Sequence, residues 1–225
     1  SRVVVAMLDP NPLVAGSGND RLRAAGIAVQ TGVLESRARA LNPGFIKRME
    51  QALPLLRAKL AMSLDGRTAM ASGESQWITG ALARADVQRL RARSCAIVTG
   101  IETVLADDPA LTVRSPELGL QQAAGIFIRQ PLRVIVDSTL RIPLDAKVLA
   151  GPGKTLVVSA HEDFAVEQQL QERGVELVVL STATGEVDLK ALLVLLAQRQ
   201  CNEVLLEAGA TLAGALAFTA LPMIH

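Results

Sequence analysis

Seven short apolar runs, rich in β-branched residues and spaced by stretches of helical periodicity, constrain this chain more than any other feature. They occupy 3–8, 57–63, 96–99, 132–137, 155–159, 175–180 and 204–207. Most are continuous rather than alternating, as expected for strands buried on both faces. Helical patterns lie between them at 19–25, 34–40, 81–93, 163–173 and 189–198. Such alternation predicts an α/β fold with a largely parallel sheet. Thr79 is placed to cap the helix over 81–93, and Gly174 to stop the one over 163–173. The internal boundary falls near Asn42-Pro43-Gly44 or between there and Pro54, where proline and glycine break the helical pattern. The residues before it hold one strand, one turn and a helix or two, too little for an independent core. That part either packs onto the rest or is the tail of another domain.

Composition narrows the functional classes. Half of the 225 residues are hydrophobic, but aromatics are four Phe, one Trp and no Tyr, so the core is aliphatic. The formal charge of +1 argues against a nucleic-acid footprint. Cys95 and Cys201, each inside an apolar run, read as free buried thiols and fit a cytoplasmic, reducing setting. Ser1-Arg2-Val3-Val4-Val5 lacks the basic segment and cleavage site of a signal peptide. The stretch 208–224 is uncharged for about 17 residues. Two glycines, two threonines and Pro222 interrupt it, and a spanning helix needs roughly 20 apolar residues, so no membrane insertion is expected. No zinc site can be assembled from His161, His225 and two cysteines without a CxxC.

Several motifs point toward a nucleotide-binding enzyme, each with a plainer reading beside it. The run Lys59-Leu60-Ala61-Met62-Ser63-Leu64-Asp65-Gly66 is a strand entering an Asp-Gly turn. Trp77, in the polar loop Gly73-Glu74-Ser75-Gln76, is either core or a ligand-facing ring. Arg84, Arg89, Arg91 and Arg93 crowd one helix, either as solvated charge or with one guanidinium clamping a substrate phosphate. Arg114, soon after Asp107-Asp108-Pro109, is a candidate second clamp. Glu207-Ala208-Gly209-Ala210-Thr211-Leu212-Ala213-Gly214 follows a strand and opens a helix. It is either a strand–helix packing turn or a cradle offering helix N–H groups to a pyrophosphate. It is not GxGxxG, so a standard dinucleotide fingerprint is not supported. Gly16-Ser17-Gly18 reads as a plain loop or an anion cradle. Gly151-Pro152-Gly153-Lys154-Thr155 resembles the end of a P-loop, but Val148 stands where the pattern needs glycine and a strand follows. It reads as a tight turn.

Residues 59–68, 73–79, 103–114, 136–138 and 207–214, in this order and spacing, resemble the reductase domain of the bifunctional riboflavin-biosynthesis deaminase–reductase family, RibD. Arg2 to Asn11 with Leu13-Val14-Ala15-Gly16 resembles the end of that family's deaminase domain. The resemblance implies a deaminase-like tail over 1–52 and a reductase domain over 53–225. The reductase fold would be similar to dihydrofolate reductase, with a mixed, mainly parallel sheet. It implies NADPH-dependent reduction of 5-amino-6-(5-phosphoribosylamino)uracil, with hydride passing from nicotinamide to sugar C1′. It further implies NADP contacts at Ala61, Trp77, Thr103, Asp107, Ser138 and the loop Gly209, Ala210, Thr211, Leu212, Ala213, Gly214 and Ala215. Substrate contacts fall at Ser75, Arg91, Leu111, Arg114 and Glu207, with Glu207 a proton-transfer candidate at the sugar. The partner it implies is a phosphorylated pyrimidine, with a homodimer as the assembly.

Two departures qualify the likeness. The zinc-binding His-Ala-Glu and Pro-Cys-x-x-Cys segments of the family are absent here, so zinc and deamination belong only to a longer protein. Residues 217–225 do not align with the strands that continue the family's sheet. An edge left open there is closed by further chain or by a neighbouring subunit. The alternatives are another dihydrofolate-reductase-like enzyme and a non-catalytic nucleotide-binding or dimerisation remnant.

Overall fold

The computed structural model describes residues 1–67, 80–114, 118 and 128–220. The chain opens with β1 (Arg2–Val5), α1 (Ser17–Ala24), β2 (Ala28–Thr31), α2 (Glu35–Leu41) and α3 (Pro43–Gln51). Then come β3 (Leu55–Lys59), α4 (Ala81–Arg93), β4 (Ala96–Gly100), α5 (Ile101–Asp107) and β5 (Leu132–Val136). The last part is β6 (Thr155–Ser159), α6 (Phe164–Gln171), β7 (Glu176–Val179), α7 (Leu189–Gln198), β8 (Glu203–Glu207) and α8 (Ala210–Ala220). β1 and β2 form a two-stranded parallel pair, and the main sheet runs β3-β8-β4-β5-β6-β7 with every neighbour parallel.

The β-branched runs form strands because both of their faces are covered. On one face Val98, Val134, Leu156, Val158, Val204 and Leu206 meet Leu192, Leu193 and Leu196 of α7 and Ala213 and Leu216 of α8. On the other, Ile97, Ile135, Val157 and Leu205 meet Ile101 and Val104 of α5 and Leu170 of α6. The period-2 alternation of side chains along each strand makes this division, and the result is a helix–sheet–helix sandwich with an aliphatic core. Side-chain caps start two of the helices. Asp163 accepts from the N–H groups of Ala165 and Val166, and Asp188 accepts from that of Ala191. Gly174, at φ +70°, lets the chain leave α6 as expected.

Several elements differ from the sequence reading. The strand over 3–8 stops at Val5, and the one over 57–63 is displaced to Leu55–Lys59, where its pairing with β8 fixes it. The helix over 81–93 is capped by Gly80 with no side-chain cap bond, while Thr79 lies outside the described residues. The helical pattern does break at Asn42, where α2 ends, and Pro43 then starts α3, because the first helical position needs no N–H donor. Its neighbour Gly44 explains the glycine. A Cβ there would stand 2.6 Å from the carbonyl oxygen of Asn202, so α3 is pressed against the turn entering β8. Arg48 Nε donates to Asn202 Oδ1 at 2.6 Å and completes that junction. The N-terminal part is thus docked on the main sheet at this point.

The P-loop-like segment is a turn into β6, as expected. Gly151 and Gly153 both have positive φ, and the buried Arg133 guanidinium holds the turn by donating to the carbonyls of Ala150 and Gly153. Gly16 is the N-cap of α1, at φ +82°. Cys95 and Cys201 are free thiols, and burial pushes that of Cys201 up to about 11.

Candidate active site

All six strands of the main sheet end on one edge, where the loops of a parallel sheet gather the groups that bind ligands. β8 lies between β3 and β4, so its last residue, Glu207, is flanked by the ends of both. Lys59 is its register partner on β3. Glu207 is 9 % exposed, and Arg91 of α4, at 13 %, reaches it in a fork. Arg91 Nε donates to Glu207 Oε1 at 2.6 Å, and Nη2 donates to Oε2 at 3.0 Å. Arg91 Nη1 also donates to the Thr112 carbonyl at 3.1 Å, tying the pair to the loop after α5. Bidentate guanidinium–carboxylate pairing fixes the carboxylate plane more firmly than a point charge does.

Beside the pair, the first turn of α8 begins at Ala210, and its N–H groups precede any intrahelical acceptor. A Cβ placed on Gly209 would meet nothing within 4 Å among the described residues, which leave the space over this helix end open. At Gly100, by contrast, a Cβ would come within 3.3 Å of Leu212, so glycine lets α8 approach the β4–α5 corner. Free N–H groups, open space and the adjacent Thr211 hydroxyl suit the phosphates of a dinucleotide.

A family model, the RibD C-terminal domain, matches residues 54–221. The chain belongs to that family. Among curated relatives, the riboflavin biosynthesis protein RibD of Escherichia coli K12 is 48 % identical over 220 residues, 96 % of this chain and 59 % of its own length. A solved structure of Acinetobacter baumannii RibD is 46 % identical with a TM-score of 0.80, over 96 % of this chain and 57 % of that one. A Thermotoga maritima structure, described as a diaminohydroxyphosphoribosylaminopyrimidine deaminase/5-amino-6-(5-phosphoribosylamino)uracil reductase, is 31 % identical with a TM-score of 0.74. It is matched over 93 % of this chain and 54 % of its own. The chain thus spans little more than half the length of these relatives.

For a RibD C-terminal domain, the residues singled out above fall into three groups. Arg91, Glu207, Leu111 and Arg114 share one neighbourhood. Leu111 is buried at φ +50°, and the Arg114 N–H donates to Gln88 Oε1 at 3.0 Å. Gly209, Ala210, Thr211, Leu212, Ala213, Gly214 and Ala215 form the loop and opening turns beside them. Thr103 lies in the first turn of α5, Asp107 is its last residue, and Ser138 comes two residues after β5. Among the described residues no hydrogen bond links these three to Glu207, whose carboxylate is held by Arg91. Ser138 Oγ accepts from the Val187 N–H, and its carbonyl accepts from Ser159 Oγ. Ala61 is half-buried between β3 and the Asp65-Gly66 turn. In that turn Gly66 has φ +80°, and Ser63, foremost, with Arg67 holds the Asp65 carboxyl below its usual range. Ser75 and Trp77 lie outside the described residues.

Sequence reasoning missed four residues here. Lys59 faces the site only through the β3–β8 register, and Gln88 and Gln130 act on backbone groups. Asp137, at the end of β5, is also unforeseen. It is fully buried, with Oδ2 accepting from the Ile142 N–H at 2.8 Å and Oδ1 unpartnered among the described residues. Among the described residues no group of three His, Cys, Asp or Glu could hold a metal, and no helix is long and apolar enough to cross a membrane.

Proposed function

We propose that this chain carries the NADPH-dependent reductase step of riboflavin biosynthesis, converting 5-amino-6-(5-phosphoribosylamino)uracil to its 5-phosphoribitylamino product. The observation that carries the reading is the Arg91–Glu207 fork on the C-terminal edge of the sheet, beside the open N-terminus of α8. NADPH, when bound, supplies the hydride. The residues of the chain align and anchor what meets it.

In this reading α8 and the loop from Gly209 to Ala215 hold the cofactor, with Ala61, Trp77, Thr103, Asp107 and Ser138 around it. Glu207 presents its carboxylate to the reacting sugar as a hydrogen-bond acceptor and proton-transfer group. Arg91 keeps that carboxylate oriented, which adds to the substrate contact that the resemblance implies for it. Arg114, Leu111 and Ser75 complete the substrate side, and Lys59 adds a cation opposite Glu207. Residues 1–52 are the end of a deaminase-like domain, and 53–225 are the reductase. Zinc and deamination belong to the longer protein, a cytoplasmic homodimer. Two free cysteines are consistent with a reducing compartment.

Cofactor choice has a direct test. Trp77 is the only tryptophan in the sequence, so its fluorescence reports on one place. NADPH should quench it, and NADH should do so only at much higher concentration. Superimposable titration curves would remove the NADP preference, and no quenching by either would take Trp77 out of the cofactor site.

A further inference from the structure

Among the described residues, the loop that carries Leu111 and Arg114 has no strand neighbour along 112–114, yet its backbone polar groups are taken up one after another by side chains. The Thr112 carbonyl accepts from Arg91 Nη1 at 3.1 Å. The Val113 N–H donates to Gln130 Oε1 at 2.8 Å, and the Val113 carbonyl accepts from Gln130 Nε2 at 3.1 Å. The Arg114 N–H donates to Gln88 Oε1 at 3.0 Å. Gln88 is 2 % exposed and stands three residues before Arg91 on α4, so both side chains leave the same face of the helix. Leu111, buried at φ +50°, anchors the start of the loop in the core. Buried backbone groups need partners, and here three side chains stand in for a ladder.

We infer that Gln88 and Gln130 are positioning residues for substrate recognition. They fix the backbone from which the Arg114 side chain departs, in register with the Arg91–Glu207 pair. The inference rests on the reductase reading above and adds residues to it. Gln88 ties the loop to the helix that supplies Arg91. Gln130 holds both polar groups of Val113, the residue next to Arg114. Neither needs to touch substrate. Each acts through Arg114 and Leu111.

The test uses Gln88→Met and the less buried Gln130→Met in the full-length protein, with Gln88→Glu as the variant that keeps an acceptor. Amide hydrogen exchange at Val113 and Arg114 reads the clamp with no substrate present. Steady-state NADPH oxidation reads its consequence. The methionine variants should exchange faster at these two amides. They should raise KM for the phosphorylated pyrimidine about tenfold, the expected effect of losing one such bond. The kcat and the NADPH titration midpoint should stay at wild-type values, and Gln88→Glu should recover much of the KM. Unchanged exchange in both methionine variants overturns the clamp. Faster exchange with an unchanged KM, or a loss that falls equally on kcat and NADPH binding, overturns the positioning role. An unsubstituted protein that consumes no NADPH overturns the reductase reading instead, while the exchange measurement still decides whether the clamp exists.

Discussion

Replacing Arg91 with methionine should destabilise the fold by about 3 kcal/mol, the cost of leaving one partner of a buried ion pair uncompensated. For a chain of this size that corresponds to roughly a 10 °C drop in melting temperature. The origin is electrostatic more than steric. Methionine fills most of the volume, but the Glu207 carboxylate loses both donors of the fork and the Thr112 carbonyl loses its third. The companion Arg91→Met/Glu207→Gln should regain most of the loss, because neither member of the buried pair is left as an uncompensated charge. Thermal melts of the two single variants and the double variant form a cycle that isolates the coupling. A double variant as unstable as the sum of the singles would mean that the pair contributes packing alone.

Replacing Glu207 with glutamine should have the larger effect on activity. The side chain keeps its shape and one acceptor toward Arg91, so the protein should still fold, though it will melt lower because the buried Arg91 loses its counter-charge. The proposed proton-transfer group at the sugar is gone, and kcat should fall about 100-fold, the lower range for loss of a general acid–base group. NADPH binding should be unaffected, because the proposed cofactor contacts lie on α8 and the neighbouring strand ends. Stopped-flow absorbance under saturating substrate checks this. A wild-type kcat would remove Glu207 from the chemistry and leave it as the counter-charge of Arg91.

These effects trace which parts of the molecule the sequence announces. Thr155–Ser159, Leu132–Val136 and Glu203–Glu207 were legible because a strand covered on both faces is written as an unbroken apolar run. Ala28–Thr31 was not. It pairs only with β1, keeps polar residues, and is largely exposed, so nothing in its composition separates it from a loop. Pro43-Gly44 announced the break after α2 but not the helix that Pro43 starts, since proline is accepted at a first helical position, nor the glycine's contact with Asn202, far along the chain. Ile101–Asp107 is a helix of seven residues, too short for its period to show.

The site shows the same limit. Glu207 and the glycines after it were visible as a local motif. The pairing of Glu207 with Arg91 spans 116 residues of sequence, and it exists because β8 inserts between β3 and β4. Spacing on α4 puts Arg84 and Arg91 on one face, but it does not say which carboxylate lies opposite. Lys59 enters through strand register, and Gln88 and Gln130 through backbone groups of a loop. Each depends on tertiary topology, which local pattern does not encode.

The central claim is that this chain, in its intact protein, reduces a phosphoribosylamino-pyrimidine with NADPH. The direct measurement is the NADPH absorbance of the folded full-length protein after addition of freshly deaminated pyrimidine substrate, with the product analysed in parallel. The account predicts loss of NADPH in step with appearance of the ribityl product, and little loss in the Glu207→Gln variant. A protein that binds NADPH, as read by Trp77 quenching, yet oxidises none of it in the presence of that substrate would contradict the account.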